Sequence, residues 1–201
     1  MKRRQMLQLG MGLALGINAT ARESLVWQER NLVGFGTTLW IKAAHTDSGR
    51  LQEALNDSVQ AIRSVEKQMS LFDPDSALSR LNRLGELQKP DAELVSVLSL
   101  AQHVSRRSAG AFDVTMQPLW GLWSLHSQTQ TVPSAKALSQ TRSLVNWRAL
   151  TVSLEVVRLN VKGMGVSLNG IAQGYAADKV RAVLQSYGVQ HALIDTGETS
   201  V

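Results

Sequence analysis

The stretch Met164–Val180, MGVSLNGIAQGYAADKV, constrains the fold more than any other part of the chain. Met164, Val166 and Leu168 alternate as in a strand, Asn169-Gly170 interrupts, and Ala172, Ala176, Val180, Val183, Leu184 and Tyr187 then recur at helical intervals. Gly188 stands where a helix terminator is expected, and Ala192-Leu193-Ile194 reads as a further strand running into Asp195-Thr196-Gly197. The unit predicted is β-turn-α-β, with Asn169 as the helix N-cap. Free N–H groups and the positive end of the helix dipole make such a turn a candidate anion site.

The remaining elements follow from the same periodicities. Leu32–Ala44 has β-rich composition with Gly34 and Gly36 early in it, which suggests one or two strands with a packed bend. Asp47-Ser48-Gly49 opens a helix whose apolar positions run from Leu51 to Met69. Asp73-Pro74-Asp75-Ser76 is a turn, Ser76 caps a short helix carrying Leu78 and Leu81, and Phe72 before the turn reads as core, with a stacking role as the lesser alternative. A helix is predicted from about Asp91 to Ser108, ended by Gly110. In Gly110–Trp123 an acid and a hydroxyl, Asp113 and Thr115, sit among apolar residues, and Pro118 argues against a regular helix. Buried polar groups need partners, so this segment is either a hydrogen-bonded structural turn or a pocket wall. Gln128–Gln140 is loop-like with a helix start at Pro133-Ser134, and Trp147–Val161 reads as two short strands.

Composition narrows the chemistry. The chain has 201 residues, 44% of them apolar, enough for one domain or a large part of one. The formal net charge is +5, but three positive charges come from Lys2, Arg3 and Arg4, and the nearly neutral body gives no electrostatic reason to expect nucleic acid. Residues 1–21 combine a basic start, a short apolar stretch from Met6 to Ile17 and Ala19-Thr20-Ala21 as a cleavage site, the layout of an export signal. Arg3-Arg4-Gln5-Met6-Leu7 is similar to a twin-arginine pattern, which implies a periplasmic protein exported folded. No segment is long and apolar enough to span a bilayer, so stable membrane insertion is not expected. The absence of cysteine excludes disulfides, thiolate metal sites and a cysteine nucleophile. His45, His103, His126 and His191 sit in unrelated contexts with neither a G-x-S-x-G elbow nor a zinc-protease spacing. What remains is oxygen-rich groups near glycine turns: Asp113, Asn169, Gln173, Asp195 and Glu198. Such groups beside a helix N-terminus suit Mg²⁺ and a nucleotide, and by themselves lead no further than a candidate phosphate-binding α/β enzyme.

Four segments in order resemble the ApbE family, flavin transferases that move FMN from FAD onto a threonine or serine of a partner protein. Phe35-Gly36-Thr37 is similar to the family's M-G-T, and Leu71-Phe72-Asp73-Pro74-Asp75-Ser76 through Asn82 to its aromatic-x-x-D-S…N segment. Gly110–Trp123 resembles G-A-F-D-x-T…P-L…L-W, and Gly170-Ile171-Ala172 with Gly174-Tyr175-Ala176 and Asp178 resembles G-[I/A]-A-K-G-Y-x-x-D. With the twin-arginine-like signal, the pattern also resembles the NosX branch, whose members are associated with flavinylation for nitrous-oxide reduction.

The resemblance implies an α+β, T-fold-like sheet with flanking helices, incomplete at its C-terminus, with residues 22–201 as the N-terminal portion of a flavin transferase domain. It implies that Phe35, Phe72, Ala111, Phe112 and Asp113 line the adenine and ribose side of FAD. It places Ser167 and Gln173 where the family commonly has Asp and Lys, so their contacts would be neutral hydrogen bonds. It makes the backbone carbonyl near Gly170 a Mg²⁺ ligand and names no catalytic residue, because the family's remaining carboxylates, threonine and histidine would follow Val201. The partner implied is a flavin-acceptor protein, a NosR-like membrane electron-transfer protein. The alternatives are an FAD-binding accessory protein and an inactive fragment without transferase activity.

Overall fold

Phe35 and Gly36, both with positive φ (50° and 78°), turn the chain back on itself and pair β1 (Val26–Gly34) with β2 (Thr37–His45). Two consecutive positive φ values give the turn a twist that matches paired strands. The β-rich run is therefore two strands, and its glycine is a hairpin tip. The computed structural model describes residues 24–197 and 199–200. The export-signal reading of residues 1–21, and Glu198, lie outside the described residues.

Side-chain caps start the next helices where the sequence places them. The Asp47 carboxylate accepts from the N–H groups of Gly49 and Arg50 and opens α1 (Ser48–Met69). Ser76 opens α2 (Ala77–Leu84), and Asp91 opens α3 (Ala92–Arg107) after a short β3 (Glu86–Gln88). Gly110, at φ 86°, closes the end of α3 with its N–H on the Ser105 carbonyl. Then follow α4 (Gln117–Gln128), α5 (Ala135–Arg142, capped by Ser134), a 3-10 turn at Trp147–Ala149, β4 (Leu150–Val152) and β5 (Val156–Leu159). The chain ends in α6 (Ala172–Ser186), β6 (His191–Asp195) and β7 (Thr199–Ser200).

Two antiparallel sheets result, one of order β1-β2-β6-β7 and one of order β3-β5-β4. Leu39, Ile41 and Ala43 point from β2 onto α1 and α6, and Ile41 pairs with Ile194 of β6. Leu51, Leu55, Ile62, Val65 and Met69 of α1 meet Ala176, Val180 and Leu184 of α6 in the same buried cluster. Each fully buried aliphatic side chain contributes about 1.5–3 kcal/mol, so this sheet and helix pair is the rigid support for the loops above it.

Three expectations are corrected. Residues 164–168 make no strand ladder; Gly165 forms only an isolated bridge to Met116, and the backbone of Val166 is held instead by the side chain of Asn82. Asn169 is not the N-cap of α6, because the carbonyl of Leu168 takes the N–H groups of both Ile171 and Ala172 and the helix begins after Ile171 without a side-chain cap. Pro118 does not prevent a helix: it sits in the first turn of α4, where its missing N–H would have had no partner in any case.

Candidate functional site

The hairpin tip is built to be immobile. Glu66, on α1, accepts the N–H of Phe35 at 2.9 Å through Oε1 and an Arg63 Nη1 bond at 2.7 Å through Oε2. The same Arg63 nitrogen donates to the Val33 carbonyl at 2.6 Å. Phe35 is thereby buried at the turn, 6% exposed. Its neighbour Gly36 lies directly under the Phe72 ring, and a Cβ there would come within 2.7 Å of the ring. Phe72 is itself presented by a tied loop: Ser76 Oγ donates to the Ser70 carbonyl, and the Phe72 N–H donates to Ser70 Oγ. Contrary to its core reading, the Phe72 side chain is 57% exposed, because Gly36 supports one part of the ring and leaves the rest to solvent.

Phe35 and Phe72 form one wall of a cavity of about 150 Å³, completed by Asn169, Ala172 and Gln173. The 164–168 segment leads directly into its lining residue Asn169. Asn82, 84 residues away in sequence, donates from Nδ2 to the Val166 carbonyl at 2.8 Å and accepts the Val166 N–H at 2.7 Å. The Ser167 N–H donates to the Val114 carbonyl, and Ser167 Oγ accepts the Asn169 N–H at 3.4 Å. At the start of α6 the N–H groups of Gln173 and Gly174 have no partner among the described residues, as helix geometry requires of a first turn without a side-chain cap. Beyond them the Asp195-Thr196-Gly197 turn braces the helix: Thr196 Oγ1 donates to the Gln173 carbonyl at 2.9 Å, and Asp195 accepts the Gly197 N–H at 2.8 Å. The Gln173 amide packs where a Cβ on Gly197 would be, which ties this glycine, at φ 93°, to the position of Gln173. On the same helix Tyr175 has its phenol pushed up mainly by burial, with the Glu93 carboxylate, which pairs with Lys179, adding to it.

The structure thus brings Phe35, Phe72 and Gln173 together, whereas Ser167 does not line the cavity and reaches it only through its bond to the Asn169 N–H. Ala111, Phe112 and Asp113 do not line this cavity. Ala111 is exposed, and Phe112 is half-buried against the core. The Asp113 carboxylate accepts from Thr115 N–H and Thr115 Oγ1 at 2.8 and 2.7 Å and from Trp147 N–H at 3.0 Å. Thr115 Oγ1 in turn accepts the Asn146 N–H at 2.8 Å. Of the two readings of this segment, the hydrogen-bonded structural turn is the one observed. It is joined to the 164–168 segment by the bond from the Ser167 N–H to the Val114 carbonyl.

Gly170 lies exposed in the turn before α6, with open space around its Cα. Among the described residues no group of three or more His, Cys, Asp or Glu side chains could hold a metal ion. A Mg²⁺ shell needs about six oxygens, so these residues do not make a metal site by themselves. The sequence gives no role to Glu66 or Thr196, and Asn82 enters only as the last position of the aromatic-x-x-D-S…N motif. Asn82 stands four residues after Leu78 on the buried side of α2, and Glu66 four after Ile62 on the buried stripe of α1. A polar residue on an apolar stripe was the available signal.

Comparison with known proteins agrees with this architecture. Residues 35–201 match the ApbE family. An FAD:protein FMN transferase of Vibrio cholerae is 29% identical over 160 residues, 78% of this chain and 45% of that protein. One of Haemophilus influenzae is 25% identical over 202 residues, 94% of this chain and 58% of that protein. The chain spans about half the length of the curated relatives it matches. Among solved structures, a mutant of the flavin transferase ApbE from Vibrio cholerae superposes with a TM-score of 0.74 at 25% identity, over 85% of this chain and 60% of that one. The apo flavinyl transferase ApbE of Pseudomonas stutzeri gives 0.71 at 27% identity, over 85% and 56%. Both share the mixed sheet-and-helix arrangement described above, and with the family match over most of its length, this chain belongs to the ApbE family.

Proposed function

We propose that this chain is the FAD-binding, N-terminal portion of a flavin transferase that moves FMN from FAD to a threonine or serine of a partner protein and releases AMP. The observation that carries the proposal is the cavity of Phe35, Phe72 and Gln173 beside the open first turn of α6. At about 150 Å³ it is smaller than pockets that enclose a drug-sized ligand, and it suits one ring system of a dinucleotide rather than the whole. The half-exposed Phe72 ring offers a stacking face, and the unpartnered N–H groups of Gln173 and Gly174 suit a phosphate. Ser167 and Gln173 supply neutral hydrogen bonds. In this proposal Phe35 and Phe72 take the adenine and ribose side at the cavity, and Ala111, Phe112 and Asp113, which do not line it, flank that side from the neighbouring turn. Asp113 contributes by holding its turn, since its carboxylate already accepts three bonds.

The reaction proposed is attack of the acceptor hydroxyl oxygen on the FMN phosphorus, with the bond to AMP breaking and the proton leaving the hydroxyl. Mg²⁺, with the Gly170 carbonyl among its ligands and the others from outside the described residues, would supply charge neutralisation at the pyrophosphate. We further propose a NosX-like role in the periplasm, after export through the twin-arginine-like signal, with a NosR-like membrane protein of nitrous-oxide reduction as acceptor.

A second reading, an FAD-binding accessory protein without transfer, is favoured by the neutral Ser167 and Gln173. One pair of measurements separates them. FAD is expected to raise the melting temperature of the chain, as any ligand selective for the native state does. Co-expression of the full-length form with an acceptor domain and Mg²⁺ should then give a fluorescent acceptor and AMP. FAD binding with a dark acceptor would leave the accessory reading, and no thermal response to FAD would defeat both.

A further inference from the structure

We infer that Glu66 is a positioning residue for FAD: it holds both aromatic walls of the cavity, Phe35 through its carboxylate and Phe72 through its backbone carbonyl and Ser70. The inference rests on the FAD reading of that cavity. Phe35 has a φ of 50°, in the left-handed region that a bulky side chain rarely adopts and that persists only where surrounding bonds impose it. A glycine would make the same turn without strain. The strained residue is instead an aromatic that lines the cavity. Phe35 also joins the buried cluster, which accounts for its ring but not for the carboxylate on its N–H.

Glu66 supplies the constraint. Oε1 accepts the Phe35 N–H, Oε2 accepts Arg63, and the same Arg63 nitrogen donates to the Val33 carbonyl, so the tip is held on both sides of the strained residue. Gly34 leaves the carboxylate its room: a Cβ there would stand 3.4 and 3.5 Å from the two oxygens and 3.0 Å from Leu39. One helical turn on, the Glu66 carbonyl accepts the Ser70 N–H at 3.0 Å, and Ser70 Oγ accepts the Phe72 N–H at 3.1 Å. The Phe72 ring in turn lies on Gly36, the residue after Phe35. Both walls therefore share one anchor in the last turn of α1. Aromatic stacking depends on separation and tilt, so a shift of the tip lowers FAD affinity even where the fold survives.

Glu66→Ala, Glu66→Gln, Arg63→Met and Ile62→Val are to be compared by calorimetric titration with FAD at a temperature where each is folded, and by KM for FAD against kcat in the full-length form. Ile62→Val trims the buried side of α1 one turn earlier, leaves the Glu66 bonds in place and is the control for lost stability. Glu66→Ala is expected to weaken FAD binding about tenfold, the loss of one well-placed aromatic face, and to raise KM with kcat within about twofold. Glu66→Gln keeps an oxygen for the Phe35 N–H and should lose less than about threefold. Arg63→Met removes the donor to Glu66 and Val33, should lose about threefold, and carries the test if Glu66→Ala does not fold. Ile62→Val should bind FAD as the unaltered chain does. Three results would overturn the inference and leave the FAD site standing: full affinity in Glu66→Ala, or in Arg63→Met where it stands in; a loss in Glu66→Gln as large as in Glu66→Ala; or an equal loss in Ile62→Val. No FAD binding by the unaltered chain would defeat the FAD reading itself, and this inference with it.

Discussion

The turn around Asp113 and the turn from Ser167 to Gln173 look alike in composition, each a polar group between a glycine and an apolar run, yet they do opposite things. The first is closed on itself: three donors converge on one carboxylate, and Thr115 passes the network on to Asn146. The second is held firmly from below by Asn82 and Val114 but leaves two helix N–H groups and the Gln173 amide at a cavity. The difference separates polar groups that make the scaffold from polar groups that scaffold presents. A satisfied carboxylate resists removal, and an unsatisfied first turn waits for a ligand.

That contrast can be broken by mutation. Asp113→Ala should be the most harmful substitution, leaving the N–H groups of Thr115 and Trp147 without partners at a cost of about 3 kcal/mol, read by denaturant unfolding. A loss under about 1 kcal/mol would show that the turn does not depend on its carboxylate. Asn82→Ala should cost about 2 kcal/mol by freeing both backbone groups of Val166. It should also weaken FAD binding, because the segment leading into Asn169 loosens; unchanged affinity would separate that segment from the cavity. Gly36→Ala should cost about 1 kcal/mol for its positive φ and should push the Phe72 ring away, seen as lower protection of the 70–76 loop in hydrogen exchange. Phe72→Ala should change stability by less than about 0.5 kcal/mol, since the ring is more than half exposed, while reducing FAD affinity about fivefold through lost stacking. Calorimetry of FAD binding measures the last effect, and an undiminished affinity would remove Phe72 from the site.

Local features were legible where the physics is local. Asp47, Ser76, Asp91 and Ser134 mark helix starts in the sequence, because a cap bonds its own backbone two or three residues on. Apolar spacing placed Leu51 to Met69 and Ala176 to Leu184 in the core. Of the candidate site, Phe35, Phe72 and Gln173 came through resemblance in motif, and they meet at one cavity. The exposure of Phe72, the helix at Pro118 and the unladdered 164–168 segment were not legible. Each depends on a partner distant in sequence or on which end of a helix a proline occupies.

The sequence by itself determined the helix starts at Asp47, Ser76, Asp91 and Ser134, the buried stripes and the β-rich composition of residues 32–44, because these rest on side chains acting within one or two turns of their own backbone. Only the tertiary structure decided that Asn82 holds Val166, that Glu66 fixes the Phe35 turn and that Asp113 braces Trp147 rather than lining the cavity. These bonds join groups from about thirty to more than eighty residues apart. Tertiary packing must offset the loop-closure entropy for them to persist, and no local spacing encodes that.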